Sequence, residues 1–212
     1  MIGFELLVCD PPYRTNVYYH VDRDRKIACV IDAAPGSFAA LQSKLKGLEV
    51  YVFLTHGHWD HVADAKAFQE NLKAKLYLHR EDIPLVKNVG FQKIIAGGQP
   101  YEPFGPDVPL NGGETLSCGN ITFKVLHLPG HTPGSIGFYD KENHQLFVGD
   151  TLFYQSIGRT DLGGSEEKMK TSLARLSQFS RRKFACIPGT GSRRQSKTKK
   201  RRLSGSESKR CY

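Results

Sequence analysis

The sequence has neither a long apolar run nor a closely spaced pair of cysteines. No hydrophobic stretch approaches the roughly 20 residues that a membrane-spanning helix needs, and residues 1–5 lack the basic start of a signal peptide. The five cysteines are scattered, odd in number and never arranged as Cys-x-x-Cys, which favours reduced thiols over a disulfide framework. We therefore expect a cytoplasmic protein that does not enter a membrane.

Acidic residues are scarce in only one part of the chain. Residues 181–212 contain 12 Lys and Arg and one acidic residue, whereas residues 1–180 contain 18 Lys and Arg and 20 acidic residues. The net charge of +9 therefore comes from residues 181–212. Residues 192–212 contain one leucine and no other aliphatic residue, too little apolar surface to order the segment. We expect a folded domain over residues 1–191 and a disordered basic tail over residues 192–212.

Histidine is concentrated in one segment, residues 55–61, with the sequence Thr-His-Gly-His-Trp-Asp-His. The segment lies between an apolar, strand-like run and a helical pattern. Alternate side chains of an extended turn point to opposite sides, so His56 and His58 can converge on one ion while Asp60 and His61 face a neighbouring point. Imidazole and carboxylate are ligands of zinc, iron and manganese. A polar surface loop would contain these four side chains only by chance, so we predict a metal site.

Strand-like and helix-like segments alternate through two halves of the chain. Each half consists of predicted strands followed by a helix, and residues 62–72 are predicted as one helix. Between the halves, residues 87–112 are rich in Gly and Pro, which predicts an irregular, lid-like loop. The pattern favours an α/β or α+β fold with two mixed sheets face to face and helices outside.

Three further motifs lie at the ends of predicted strands. They are Leu-Pro-Gly-His-Thr-Pro-Gly-Ser at residues 128–135, Val-Gly-Asp-Thr-Leu-Phe at residues 148–153 and Gly-Arg-Thr-Asp at residues 158–161. Together with the His-x-His-x-Asp-His segment, they resemble the metallo-β-lactamase fold superfamily, in particular its small hydrolases similar to glyoxalase II. The resemblance extends in the same order from about residue 15 to residue 191.

The resemblance implies an α+β fold, a four-layer αββα sandwich with a metal site at one edge. His56, His58 and His131 would form the first site, and Asp60 and His61 would contribute to the second. Asp150 would bridge the two sites. The implied cofactor is one or two zinc ions, with iron or manganese as alternatives. A bridging carboxylate holds two cations about 3.5–4 Å apart, where they can share a hydroxide that attacks a thioester or related ester.

Other polar residues receive weaker assignments. Asp32 is either a hydrogen-bond partner of a ligand histidine or a carboxylate at a helix entry, and the sequence leaves both open. Arg159 and Asp161 are predicted to form a structural ion pair. The remaining histidines are expected at the core edge or on the surface: His20, His79, His127 and His144.

One position departs from the family pattern. The family's last metal ligand is a histidine in a Pro-Gly-His-Gly turn, whereas this chain has Thr190 in the corresponding turn and no histidine after His144. The second site then retains only Asp60, His61 and the shared Asp150. A neutral hydroxyl binds a divalent cation far more weakly than imidazole does, although a water could fill the gap.

Three explanations of this departure are open. The second site binds its metal weakly, or the protein is a mononuclear iron sulfur dioxygenase that uses His56, His131 and Asp150. Alternatively, the reading frame changes near residue 190, where the motif fails and the basic tail begins together. We favour the change of frame as a hypothesis, which resequencing of the coding DNA would test.

The leading expectation for function is a metallohydrolase that cleaves a thioester or related ester of a small molecule, with Asp60 as catalytic residue. Genuine glyoxalase II has an additional C-terminal helical domain that helps to bind glutathione and that this sequence lacks, which argues against hydroxyacylglutathione in particular. β-Lactams are disfavoured because nothing marks export. The alternatives are the sulfur dioxygenase and a metal-binding protein with an impaired second site. Nucleic acid is expected to bind only through the basic tail, at residues 199–202.

Overall fold

The computed structural model describes residues 3–10, 13–180 and 185–190. The strands are β1 Glu5–Cys9, β2 Thr15–Asp22, β3 Ile27–Ile31, β4 Glu49–Phe53, β5 Lys75–His79, β6 Val108–Leu110, β7 Thr115–Cys118, β8 Ile121–His127, β9 Ile136–Asp140, β10 Gln145–Gly149, β11 Leu152–Phe153, β12 Ser156–Ile157 and β13 Ala185–Pro188. The α-helices are α1 Ser37–Leu45, α2 Trp59–Val62, α3 Ala65–Leu72, α4 Ile83–Lys87, α5 Val89–Ile95 and α6 Glu166–Ser180, and a short 3₁₀ helix covers Arg80–Asp82. The predicted basic tail, residues 192–212, lies outside the described residues.

Two mixed sheets form the centre of the molecule. The first sheet has the strand order β1-β2-β3-β4-β5-β6, antiparallel through β3 and parallel from β3 to β6. The second has the order β13-β10-β9-β8-β7, with β13 parallel to β10 and the other pairs antiparallel. The strands β11 and β12 form a separate hairpin.

The buried apolar residues divide into three layers of core. Between the sheets, aromatic rings from both sides interlock, among them Phe53, Phe123 and Phe138. On the outer face of the first sheet, Leu41 of α1 and Phe68 of α3 pack against its strands. On the outer face of the second sheet, the core includes Leu176 of α6. These layers give the predicted α+β αββα sandwich, because each sheet buries both faces.

The helix predicted over residues 62–72 is wrong in its extent. The chain forms a turn of helix, α2, and then α3, with a break at residues 63–64. At the break the Asp64 N–H donates to the carbonyl of Ala33 at 2.9 Å rather than to the carbonyl four residues earlier. The Asp64 carboxylate in turn accepts the N–H of Phe38 at the start of α1, at 2.8 Å. Tertiary hydrogen bonds therefore decide where the helix is interrupted.

The prediction of an irregular loop at residues 87–112 is also wrong in part. The segment contains the end of α4, the whole of α5 and the strand β6, which pairs with β5. Asn88 caps α5 by accepting the N–H of Phe91 at 3.0 Å. The buried Tyr101 donates its hydroxyl hydrogen to the carbonyl of Val86 at 2.7 Å. Because the segment is rich in Gly and Pro, its composition did not predict these short elements. The segment packs against the rest of the domain.

The other organisational expectations concern membranes and cysteines. Among the described residues, no helix combines the length and apolarity that crossing a bilayer requires. Three cysteines in this part of the chain are free thiols: Cys9, Cys29 and Cys118.

Phe53 tests the core between the sheets. Its side chain is 1% exposed, and its ring centroid lies 5.4 Å from that of Phe123 and 5.5 Å from that of Phe138. We expect Phe53→Ala to lower the free energy of unfolding by about 3–5 kcal/mol, because it removes apolar burial and leaves a cavity. Urea unfolding measures the change. The control Tyr154→Ala, at a position 75% exposed, should change stability by less than about 0.5 kcal/mol; equal losses in both variants would contradict this assignment of the core.

Candidate metal centre

The polar cluster lies at one edge of the sandwich, where loops from both sheets meet. Residues 54–61 follow β4, residues 128–135 join β8 to β9, and Asp150 follows β10 directly. The N–H of Ile136 donates to the carbonyl of Thr55 at 2.9 Å and so ties the second sheet to the first. The sandwich thus brings side chains far apart in sequence to one point.

The first donor group consists of His56, His58 and His131, all buried, whose ligand atoms lie within 4.8 Å of one another. The Nδ1 of His58 faces the Nε2 of His131 at 2.9 Å. On the far side of each ring, the Nε2 of His58 faces the carbonyl of Leu162 at 3.2 Å, and the Nδ1 of His131 faces that of Arg159 at 2.7 Å. A carbonyl only accepts, so these outer nitrogens carry the protons. The inner nitrogens then face each other with lone pairs, an arrangement that a cation between them would stabilise.

The second donor group consists of His56, His61 and Asp150, again with ligand atoms within 4.8 Å of one another. The Nε2 of His61 lies 3.3 Å from Asp150 Oδ1 and 3.4 Å from Asp60 Oδ2. Asp60 Oδ2 also accepts the hydroxyl hydrogen of Thr15 at 3.2 Å. The other oxygen of Asp150, Oδ2, lies 3.8 Å from His131 Nε2. Asp150 therefore stands between the two groups.

Asp32 orients two of the histidines from behind. Its Oδ2 accepts the Nδ1–H of His61 at 2.8 Å, and its Oδ1 accepts the N–H of Thr55 at 2.7 Å. The Thr55 hydroxyl lies 2.9 Å from Asp32 Oδ2 and 3.1 Å from His56 Nδ1. The hydroxyl donates to the carboxylate and so accepts from the imidazole, which leaves the lone pair of His56 on Nε2. One carboxylate thus fixes the tautomers of both His56 and His61.

These contacts decide between the two roles that the sequence left open for Asp32. It is a hydrogen-bond partner of a histidine and does not cap α1, where the N–H of Phe38 donates to Asp64 instead. Asp32 has a φ of +65°, in the left-handed region. That conformation is strained for most residues but is tolerated by Asp and Asn.

The electrostatics of the cluster favour a bound cation. Burial, together with the neighbouring histidines, lowers the pKa of His58 to about 3 and holds the pKa of His56 well below its usual value. Both rings are therefore neutral, the form that binds metal. Burial also opposes charge on His61, but Asp60, Asp150 and Asp32 outweigh it and hold its pKa well above the usual value. That proton balances the carboxylates in the metal-free protein, and a divalent cation can take its place.

The unsatisfied atoms give an independent test of fit. Among the described residues, the Nε2 atoms of His56 and His61 are buried without any hydrogen-bond partner. Burying a polar nitrogen unpaired is costly, so each such atom calls for an explanation. Both atoms belong to the donor groups: His56 Nε2 carries a lone pair in its assigned tautomer, and His61 Nε2 gains one when a cation displaces the proton that the carboxylates hold on this ring. The residues present fit a metal ion.

The structure brings all six predicted site residues into one cluster: His56, His58, Asp60, His61, His131 and Asp150. Thr190 also reaches it, and its hydroxyl donates to Asp150 Oδ1 at 3.0 Å. Arg159 and Asp161 form the predicted ion pair through two contacts of 2.6 Å, both side chains being exposed. None of the remaining histidines in the described part of the chain joins a donor group.

Three contributions were missed by sequence reasoning. The backbone carbonyl of Arg159 orients His131, and no side-chain pattern reveals such a contact. Asp82 and Gln92 are fully buried polar residues that both contact Gly57, the residue between the first two histidines. Neither residue has a motif around it, and Gln92 falls in the segment predicted as an irregular loop, so only burial marks them.

Residues 10–186 match the family model of the metallo-β-lactamase superfamily.

The chain belongs to the metallo-β-lactamase superfamily.

Several superfamily relatives resemble it in sequence and structure. The hydroxyacylglutathione hydrolase GloC of Haemophilus influenzae is 37% identical over 143 residues, which cover 65% of this chain and 67% of the relative. Among solved structures, the B3 metallo-β-lactamase BLEG-1 has a TM-score of 0.77 and 31% identity, covering 90% of this chain and 92% of its own. TTHA1623, solved in a di-iron-bound form, has a TM-score of 0.70 and 32% identity, covering 89% of this chain and 92% of its own. Members of the superfamily bind metal ions, as the donor groups in this chain predict.

Asp32→Asn tests the orientation of His56 and His61. Asn tolerates the same backbone conformation, but its amide group presents N–H where one of the two carboxylate oxygens now accepts. We expect the affinity for Zn²⁺ to fall by about 10–100-fold, the usual cost of losing such an outer partner. Titration of metal-free protein against a zinc indicator measures it. The surface variant Asp24→Asn serves as control, and unchanged affinity in Asp32→Asn would contradict the role of Asp32.

Proposed function

We propose that this chain is a metal-dependent hydrolase that cleaves a thioester or a related ester of a small molecule. One observation carries the proposal: Asp150 stands between two donor groups, with one oxygen 3.3 Å from His61 Nε2 and the other 3.8 Å from His131 Nε2. A carboxylate in that position can bridge two cations. Zinc is the proposed metal, with iron or manganese as alternatives; a di-iron form of the related TTHA1623 supports keeping iron among them.

The site residues have two proposed roles, metal binding and proton transfer. A bound divalent cation supplies an acidified water as nucleophile and polarises the substrate carbonyl. His56, His58 and His131 would hold the first ion, and His61, Asp60 and Asp150 would hold the second. The Asp60 carboxylate, fixed by the hydroxyl of Thr15, is also placed to accept a proton from the attacking water and to return it to the leaving group.

The proposed substrate is an acyl thioester. The name of the Haemophilus relative, hydroxyacylglutathione hydrolase, supports this class, and the name of BLEG-1 adds β-lactams to the compounds worth testing. Phe91 of α5 lies beside the metal cluster, its ring centroid 6.0 Å from that of His58. We propose that α5 forms one wall of the substrate pocket, in place of the lid expected from residues 87–112.

A persulfide dioxygenase is the second candidate. Its three ligands would be His56, His131 and Asp150, which are adjacent in the structure. The ring centroids of His56 and His131 lie 4.7 Å apart, and His131 Nε2 lies 3.8 Å from Asp150 Oδ2. Such an enzyme needs one iron ion and no second site, so Thr190 would not impair it.

The cytoplasmic location and the binding of nucleic acid through the basic tail stay predictions, as does a change of reading frame near residue 190. The third function considered, a metal-binding protein without turnover, also stays open to test by the assays below.

His58→Ala tests the hydrolase proposal. We expect it to reduce hydrolysis of S-lactoylglutathione and related thioesters by more than the roughly 100-fold that an outer partner costs, because it removes a direct ligand. Steady-state assays on zinc-loaded protein measure this, with His20→Ala as the matched control outside the cluster. Absence of thioester, ester and β-lactam hydrolysis in the wild-type protein would refute the proposal, and oxygen uptake with glutathione persulfide would favour the dioxygenase.

Thr190→His tests the second metal site. An imidazole at this position would restore a strong ligand beside Asp150, whereas the hydroxyl of Thr190 binds cations weakly. We expect wild-type protein purified without chelator to hold its second zinc at least about 10-fold more weakly than Thr190→His holds it. Elemental mass spectrometry and competition with a chelator measure the two affinities. Thr190→Val, which removes only the hydroxyl, should resemble wild type; tight binding of two ions by the wild-type protein would contradict the impaired site.

A further inference from the structure

Asp82 lies between the two loops that carry the histidines of the first donor group. It ends the 3₁₀ helix after β5, far in sequence from either loop, and is fully buried. Its Oδ2 accepts the N–H of Gly57 at 2.8 Å and the hydroxyl hydrogen of Thr132 at 2.6 Å. Its Oδ1 accepts the N–H of Gly134 at 2.6 Å. One carboxylate therefore bonds both loops at once.

The bonded groups adjoin the ligands themselves. Gly57 separates His56 from His58, and Thr132 follows His131 directly. The other side of the Gly57 residue is held too, because Gln92 donates its side-chain N–H to the Gly57 carbonyl at 2.7 Å. Any shift of Asp82 would move one loop relative to the other. The two loops carry His58 and His131, whose Nδ1 and Nε2 atoms lie 2.9 Å apart.

The loops approach Asp82 so closely that a side chain at Gly134 would clash with it and one at Gly57 would be crowded. A Cβ on Gly134 would lie 2.7 Å from Asp82 Cγ and 2.8 Å from the Asp82 backbone nitrogen. A Cβ on Gly57 would lie 3.2 Å from both Cβ and the carbonyl oxygen of Asp82. This fit goes beyond filling space, since three donors of two loops converge on one small carboxylate.

We propose that Asp82 is a positioning residue that sets the separation of His58 and His131 and thereby the metal affinity of the first site. The inference rests on the metal binding in the proposed function. It does not depend on the reaction, because Asp82 touches neither the donor atoms nor the space between them.

An amide cannot replace the carboxylate at this position. Asn has one accepting oxygen and one N–H₂ group, so it can accept either from Gly57 and Thr132 or from Gly134, but not from all three donors. A donor left without the oxygen would then face the amide N–H₂ group in a fully buried position. The variant keeps the size of the side chain while losing at least one of the three bonds, which makes it the sharpest test.

The experiment titrates metal-free full-length protein with Zn²⁺ and, separately, with Co²⁺ as a spectroscopic probe. We expect Asp82→Asn to bind the first Zn²⁺ about 10–100-fold more weakly than wild type, the range typical of lost outer partners. The visible absorption of bound Co²⁺ should also change in intensity or position, because the ligand geometry changes. Thr132→Val, which removes one donor and leaves the carboxylate, should give a smaller effect in the same direction and serves if Asp82→Asn does not fold.

Asp140→Asn is the matched control. Asp140 is also a buried carboxylate that accepts two hydrogen bonds, both from Asn143, but it lies at the far end of β9 from the metal cluster. It should lower the melting temperature without changing the Zn²⁺ affinity or the Co²⁺ spectrum. Wild-type affinity and spectrum in both Asp82→Asn and Thr132→Val would overturn the inference. Failure of the wild-type protein to bind either metal would overturn it together with the proposed function, whereas metal binding without hydrolysis would remove only the reaction.

Discussion

The rest of this structure depends on one constraint, the close approach of imidazole nitrogens that carry lone pairs in the protein interior. His58 and His131 face each other at 2.9 Å with their protons turned outward, an arrangement that the chain has to hold in place at a cost in free energy. Rings held by backbone carbonyls and by buried carboxylates cannot turn away to find other partners. The loops, the glycines and the carboxylates behind them all keep these rings aimed at one point.

Two carboxylates share this task from opposite sides. Asp32 fixes the tautomers of His56 and His61 through Thr55 and through a direct bond, while Asp82 joins the two loops. Both are buried and satisfied by several donors, the condition under which a buried charge is tolerated. The cluster therefore resembles other preorganised metal sites, in which the outer partners orient the ligands. Thr190 is expected to weaken metal binding at the second site, because it donates a hydrogen bond to Asp150 where the family pattern has a strong metal ligand.

Much of the site could be predicted because its residues are packed into short motifs. His56, His58, Asp60 and His61 come from one turn, and the motifs around His131 and Asp150 placed the other two donors by resemblance. Asp32 was recognised as a candidate but not assigned, since a carboxylate at a strand end serves equally well as a helix cap. Asp82 and Gln92 were missed because a lone polar residue outside any motif is ordinarily exposed, and their burial arises only when distant segments pack together. The short elements α5 and β6 were missed because their stability comes from tertiary contacts more than from local propensity.

The sequence by itself determined the ligand types, the strand and helix periodicity and the family, because these depend on the chemistry and spacing of neighbouring residues. It also predicts that Thr190 stands where the family pattern has a histidine. Only the tertiary structure decided which nitrogen of each ring faces the cluster, where the helix after the metal turn breaks, and which carboxylates lie behind the ligands. Those features depend on atoms brought together from distant segments, and the sandwich sets their distances when its two sheets pack.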